Sequence, residues 1–220
     1  MFLLGATSLV SPCGEACTIV LREKAGACER YAADELQTYL KKITGLTTSI
    51  ATDSVEPVGP AIFLGRTRFT ERIAPGTDYA GLGPDGFRLK VSGCNLAIAA
   101  DPLGCPGAGV LYGVYELLER FGGCRWYASD FEVVPKNANL VLDVDDVQKP
   151  AFRWRGYGWW DFRPHWRPFI FKNRGGGLPT ETLTSAHSLY TWVKAQENFK
   201  THPEWFAMDA KGTRRLDAAM

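Results

Sequence analysis

The stretch "LYGVYELLERFGGCRWYASD", residues 111–130, combines an apolar stripe, a double glycine and an aromatic pair. Apolar side chains recur at spacings of three and four, which predicts an amphipathic helix that packs its apolar face on a sheet. Gly122-Gly123 is expected to end this helix. The polar side chains of the helix are predicted to face water. The apolar stripe comprises Val110, Leu111, Val114, Tyr115, Leu117, Leu118 and Phe121, and the polar face comprises Glu116, Glu119 and Arg120.

A glycine-rich segment, "GCPGAG" at 104–109, comes directly before this helix. Glycines at a helix start can expose backbone N–H groups to an anion. The segment has neither the lysine of a GxxxxGK[ST] loop nor the spacing of GxGxxG. The packing interpretation of the helix is therefore favoured over a phosphate site.

The other elements predict an α+β fold. The clearest helix is "ACERYAADELQTYLKKITG" at 27–45, with acids early, lysines late and Gly45 in place to cap it. "DGFRLKVSGCNLAIAAD" at 85–101 has the alternation of a hairpin. We expect a mostly antiparallel sheet with two helices on one face. The remaining predicted strands are residues 17–23, 48–52, 61–65, 131–135 and 138–144.

Composition changes sharply near Pro150. Six of the seven tryptophans follow it, although only 70 of the 220 residues do. This change predicts a terminal extension or signal remnant at 1–14, one domain at 15–148 and another at 149–220. The formal net charge of +1 gives no reason to expect nucleic acid as a partner. No apolar run reaches the roughly 18 residues of a membrane span.

The start, "MFLLGATSLV", is an apolar run without a basic residue before it. It is either an incomplete secretion signal, which would place the protein outside the cell or in the periplasm, or an edge strand or frayed terminus. The six cysteines form no CxxC pair, so no metal site is predicted. Cys13–Cys17 and Cys94–Cys105 are possible disulfides in a secreted protein, but buried free thiols are favoured.

Three stretches together resemble a known domain. "YAADELQTYLKKITG", "AIFLGRT" and the run from Gly83 to Tyr127 that ends in "GVLYGVYELLERFGGCRWY" are similar to the N-terminal α+β domain of family 20 β-hexosaminidases and of α-glucuronidases. The likeness spans roughly residues 15–145. It implies a non-catalytic domain, of bacterial type, that precedes a catalytic barrel and packs against it.

The likeness continues past Pro150. "PAFRWRGYGWWDFR" at 150–163 resembles the first barrel strand of family 20 enzymes, where an arginine holds sugar hydroxyls. "KNRGGG", "AHSLYTW" and "NFKTHPEWFAMDAKGTRR" resemble the early barrel of an uncharacterised bacterial group. The resemblance implies seven candidate substrate-binding residues: Arg155, Trp160, Asp161, Arg163, Asn173, Arg174 and His187.

Catalytic residues are not predicted within this chain. Glycoside hydrolysis usually needs two carboxyl groups beside the scissile bond, and the one adjacent Asp-Glu pair, Asp34-Glu35, lies in the first predicted helix. A complete (β/α)₈ barrel takes roughly 250 residues, so an incomplete barrel segment is expected after Pro150.

We therefore expect the accessory N-terminal part of a glycoside hydrolase. Carbohydrate would be the substrate of the whole protein, and a missing C-terminal barrel would be the intramolecular partner. No cofactor is predicted. The alternative is a non-catalytic module that binds carbohydrate or another protein.

Overall fold

The structure is a computed structural model that describes residues 7–8, 17–101, 108–152, 155, 167–175 and 193–215. The chain divides into two compact units, Met1–Leu178 and Pro179–Met220. Contacts therefore group residues 155 and 167–175 with the first unit. The sequence-based limits at 1–14, 15–148 and 149–220 stay a prediction. The incomplete barrel falls largely outside the described residues and also stays a prediction.

The strands and helices of the described residues lie mostly in the first unit. The strands are β1 (Thr7–Ser8), β2 (Thr18–Leu21), β3 (Ser49–Thr52), β4 (Ala61–Leu64), β5 (Phe87–Ser92), β6 (Asn95–Ala99), β7 (Arg125–Ala128), β8 (Phe131–Val133), β9 (Val141–Leu142) and β10 (Asp145–Gln148). The helices are α1 (Ala27–Thr44), α2 (Thr70–Ile73), α3 (Tyr79–Leu82), α4 (Gly109–Arg120), α5 (Arg167–Lys172) and α6 (Ala195–Asn198). A 3₁₀ turn, Pro203–Trp205, follows α6 in the second unit.

Six strands form one mixed sheet in the order β10-β5-β6-β4-β2-β3. The pairs β2–β3, β2–β4 and β4–β6 are parallel, whereas β5–β6 and β5–β10 are antiparallel. The α+β class is confirmed, but the prediction of a mostly antiparallel sheet is wrong. Parallel neighbours need a crossover connection, and α1 provides one between β2 and β3.

Two helices, α1 and α4, share one face of the sheet with a single apolar core. Helix α1 ends at Gly45, whose φ of 83° is left-handed and whose N–H donates to the carbonyl of Lys41. The opposite face of the sheet was not predicted to carry helices. There Val20, Phe63 and neighbouring side chains pack against Ile73 of α2.

Helix α4 is buried on nearly all sides, because ten of its twelve residues are shielded from solvent. The predicted apolar stripe is therefore correct, but the prediction that Glu116 faces water is wrong. Its exposed fraction is 9%, and its Oε1 accepts a hydrogen bond of 2.9 Å from Gln148. The reason is that β10 and the segment after Pro150 cover the helix face that the local pattern assigns to solvent.

Two of the cysteines in the described residues are buried in the core. Cys17 and Cys124 are buried free thiols, and burial raises the pKa of each to about 11. Cys13 and Cys105, one member of each possible disulfide, lie outside the described residues. In the described part of the chain, no helix is long and apolar enough to cross a membrane.

Gly113 lets α4 pack close to strands β5 and β6. A Cβ atom at this position would lie 2.4 Å from Cγ2 of Ile98 and 3.2 Å from the ring of Phe87. We expect Gly113→Ala to lower the free energy of unfolding by about 1–2 kcal/mol, because overpacking outweighs the helix propensity of alanine. Denaturant titration followed by circular dichroism measures the change.

The matched control combines Gly113→Ala with Ile98→Ala, which removes the clashing methyl group. The double variant should lose less stability than the two single losses added together. Strict additivity would contradict the close packing of α4 on β6.

Candidate functional site

A cavity of about 250 Å³ lies where the chain leaves β10. It is called the first cavity below. Three of the seven predicted substrate-binding residues, Arg155, Asn173 and Arg174, line it together. The other four, Trp160, Asp161, Arg163 and His187, lie outside the described residues. Besides these three residues, the lining includes Asp85, Tyr112 and Gln148.

Arg155 uses all three nitrogens of its guanidinium group within the protein. Nη2 donates to the Asp85 carboxylate at 2.7 Å, Nε to the carbonyl of Arg174 at 2.9 Å, and Nη1 to the carbonyl of Phe152 at 2.8 Å. The Asp85 side chain is only 8% exposed. A planar guanidinium group held at three points is fixed in place, so Arg155 joins the backbone at Phe152 to Asp85, in the segment before β5.

Asp85 also holds the start of α4, because its Oδ1 accepts a hydrogen bond from the N–H of Ala108 at 3.2 Å. Tyr112 lies next to this pair, with its ring centre 5.5 Å from the Arg155 guanidinium carbon. Burial, followed by the charge of Asp85, raises the pKa of Tyr112. The phenol therefore stays protonated, and it donates to the carbonyl of Gly175 at 2.8 Å.

Arg174 provides a second attachment to α4 through its ion pairs. Its φ of 53° is in the left-handed region, which is uncommon for a residue other than glycine. Its guanidinium group forms ion pairs with Glu119 and, at 3.5 Å, with Glu116. Asn173 is exposed, and its amide donates to the carbonyl of Phe169 at 3.0 Å. Substrate binding by these residues stays a prediction, while their observed contacts are internal.

Sequence reasoning missed the carboxylates that hold the two arginines. Asp85 occurs in "GPDG", where an aspartate is typical of any turn. Glu116 and Glu119 fit the polar face of an amphipathic helix. No local signal distinguishes an exposed glutamate from one that is covered by a segment some 60 residues later in the chain.

A second cavity, of about 290 Å³, lies beside the β7–β8 hairpin. It is lined by residues 128–132 and by Phe169 and Lys172 of α5. In the residues that the structure describes, no group of three or more His, Cys, Asp or Glu side chains is arranged to hold a metal ion.

Glu132 connects the second cavity to the core. Its carboxylate accepts hydrogen bonds from the Tyr39 hydroxyl and from Lys42 Nζ at 2.7 Å, and Lys172 lies 3.4 Å away. Trp126 Nε1 donates to the Tyr39 oxygen at 2.9 Å. Burial alone would raise the pKa of Glu132, but these donors and the lysine charges lower it to about 2.

The comparisons with known proteins agree with this fold. A family GH115 4-O-methyl-α-glucuronidase with specificity for decorated arabinogalactans matches 73% of this chain at 18% identity, with a TM-score of 0.52. The chain shares the fold of a segment of a glycoside hydrolase. It spans about a quarter of that protein, which is 24% covered. The predicted likeness to glycoside hydrolases is confirmed at the level of fold.

Two further solved structures are similar over smaller or looser matches. A mutant β-hexosaminidase from Streptomyces plicatus, in complex with its product GlcNAc, matches 69% of this chain and 24% of its own at 18% identity and a TM-score of 0.43. A GH138 enzyme that targets pectin rhamnogalacturonan II matches 54% of this chain and 11% of its own at 18% identity, with a TM-score of 0.33.

Residues 126–219 match the profile of a family described as "Domain of unknown function (DUF4838)". No curated protein matches the chain.

Removal of either partner of the Asp85–Arg155 pair should be strongly destabilising. We expect Asp85→Asn and Arg155→Gln each to lower the free energy of unfolding by about 2 kcal/mol or more, because each leaves a buried charge without its partner. The double-mutant cycle, measured by chemical denaturation, should give a coupling energy of about 1–3 kcal/mol.

Arg72–Glu56 is the matched control, because it has the same 2.7 Å separation but both side chains are more than half exposed. Its coupling energy should stay below about 1 kcal/mol. Equal coupling in the two cycles would show that burial does not strengthen the Asp85–Arg155 contact.

Glu132 should make the stability depend on pH in the acid range. The pKa of this carboxyl is about 2 in the folded chain, below its ordinary value of 4.5. Its contribution is therefore complete above pH 4.5 and is lost as the pH falls towards 2. We expect Glu132→Gln to lower the free energy of unfolding at neutral pH and to flatten its fall between pH 4.5 and pH 2.

Denaturant titrations at stepped pH measure both effects. Glu56→Gln provides the reference for the loss of an exposed glutamate. If the free energy of unfolding of Glu132→Gln fell with pH in parallel with that of the unmutated protein over this range, the lowered pKa of Glu132 would be contradicted.

Proposed function

We propose that this chain is the accessory N-terminal part of a carbohydrate-processing enzyme of the glycoside hydrolase type. In this proposal the first unit is not catalytic. It holds the polypeptide that leaves the sheet after Pro150 in a fixed position. The observation that carries the proposal is the three-point attachment of Arg155 to Asp85 and to the carbonyls of Phe152 and Arg174.

The carboxylates near the first cavity support a structural role. Asp85, Glu116 and Glu119 are all bound to arginine side chains. A glycosidase needs one carboxyl group that gives up a proton and a second that approaches the sugar or a water molecule. Each of these carboxylates is already bound by a guanidinium group, which fixes its oxygens, so these groups suit anchoring better than contact with a sugar.

The proposal assigns the remaining functions to the whole protein. The substrate would be a polysaccharide or glycan, and the partner of the first unit would be a barrel supplied by further residues of the same polypeptide. We also propose a secreted or periplasmic location, on the basis of the apolar stretch at residues 1–10. A module that only binds carbohydrate is the second candidate, favoured by the exposed aromatic rings of the β7–β8 hairpin.

The test joins gene sequence with activity. We expect the reading frame to continue past Met220 for several hundred residues, and the longer product to hydrolyse aryl α-glucuronides or aryl N-acetyl-β-glucosaminides. The 220-residue chain should release no aryl alcohol from either substrate. A frame that stops at Met220, or turnover by the 220-residue chain itself, would overturn the accessory role.

A further inference from the structure

The β7–β8 hairpin exposes two aromatic rings. Tyr127 and Phe131 are 62% and 58% exposed, and their ring centres lie 5.8 Å apart with planes only 29° from parallel. Single exposed apolar side chains are common, but adjacent ones that form a patch usually mark a binding surface. This pair lies at the rim of the second cavity, to which Phe131 contributes directly.

A β-bulge sets the direction of the two rings. Trp126 pairs with Glu132 and Ala128 with Phe131, so Tyr127 is the extra residue between them. Trp126 points into the core, where it is 5% exposed and donates to Tyr39. The hairpin that carries the two rings is therefore anchored to the core through the buried hydrogen bond of Trp126.

The same hairpin carries polar groups that have no partner among the described residues. Within the described part of the chain, the hydroxyls of Tyr127 and Ser129 and the carboxylate of Asp130 take part in no hydrogen bond or ion pair. Ser129 and Asp130 line the second cavity. A pyranose ring has an apolar C–H face, which packs on the negative face of an aromatic ring, and a rim of hydroxyls that needs donors and acceptors. The hairpin offers both kinds of contact.

We propose that Tyr127 and Phe131 form a carbohydrate-binding platform, with Ser129 and Asp130 as hydrogen-bonding groups at its edge. The cavity volume of about 290 Å³ is near the lower end of the roughly 300–1,000 Å³ typical of ligand pockets, which suits one or two sugar units of a longer chain. The choice of sugar as ligand rests on the proposed function.

The charged side chains at the second cavity favour a neutral sugar as the ligand. Lys42, 2.7 Å from Glu132, and Lys172, 3.4 Å from it, balance the charges of the Glu132 and Asp130 carboxylates, so the region has no net positive charge that would attract a polyuronate. Asp130 itself forms no ion pair among the described residues. An unpaired carboxylate repels the carboxylates of a polyuronate. The platform should therefore bind neutral polysaccharides such as xyloglucan, galactomannan or mixed-linkage β-glucan, and not polygalacturonate.

The experiment is native affinity electrophoresis of the full chain in gels that contain each of these four polysaccharides. We expect at least one neutral polysaccharide to retard the protein. Tyr127→Ala and Phe131→Ala should each weaken binding at least tenfold, whereas Tyr127→Phe and Phe131→Tyr, which keep the rings, should stay within threefold. Thermal unfolding checks that every variant remains folded.

Phe152→Ala is the matched control, since Phe152 is an aromatic residue with 75% exposure outside the hairpin. It should bind like the unmutated chain. Equal binding by the alanine variants at positions 127 and 131 and the unmutated chain would overturn the platform but leave the proposed function intact. Absence of retardation by all neutral polysaccharides, or retardation by polygalacturonate alone, would also overturn the platform, while the reading frame past Met220 decides the proposed function separately.

Discussion

The burial of α4 against the sheet and against its neighbour α1 is the constraint on which the rest of the first unit depends. Polar groups on a helix that is covered on nearly all sides must find partners inside the protein, because water cannot reach them. The Tyr115 hydroxyl donates to Glu35 of α1, and the Tyr112 hydroxyl donates to the carbonyl of Gly175. Glu116 is satisfied by Gln148 and lies beside Arg174. The requirement for internal partners therefore ties α1, β10 and the segment after Pro150 to one helix.

This requirement changes the meaning of the two arginines. By resemblance, Arg155 and Arg174 belong to motifs near a sugar site, yet their guanidinium groups are bound to carboxylates of the α+β layer. A cation that is held by an internal carboxylate has little attraction left for a neutral ligand, and breaking such a pair is costly. The two cavities therefore differ in their lining. The arginines at the first cavity are paired with carboxylates, whereas the second cavity has, besides the ion pair at Glu132, the side chains of Ser129 and Asp130, which have no partner among the described residues.

The sequence predicted the features that depend on near neighbours. Helix α1 with its Gly45 cap, the β5–β6 hairpin and the apolar stripe of α4 all follow from spacing within one element. The mixed sheet was not predictable in this way, because β2 lies between β3 and β4 and strand order is a long-range property. The environment of Glu116 was missed for the same reason. Three of the seven predicted site residues lie around one cavity; the likeness to a known domain, more than any local pattern, suggested them, and their role in binding stays a prediction.

In the β7–β8 hairpin, a single inserted residue decides which aromatic side chain is buried and which is exposed, and the local sequence pattern does not predict this. With regular pairing around the turn at Ser129-Asp130, Tyr127 would lie opposite Glu132, and Trp126 would share the outer face with Phe131. The bulge shifts the register by one residue, so Trp126 lies opposite Glu132 and points inward with it. The larger indole is then buried on Tyr39 and Tyr115, and the smaller phenol joins Phe131 on the outside. Alternation in "CRWYASDF" is compatible with both registers. The buried hydrogen bond from Trp126 to Tyr39 favours the observed one, and the exposed pair of rings is its consequence.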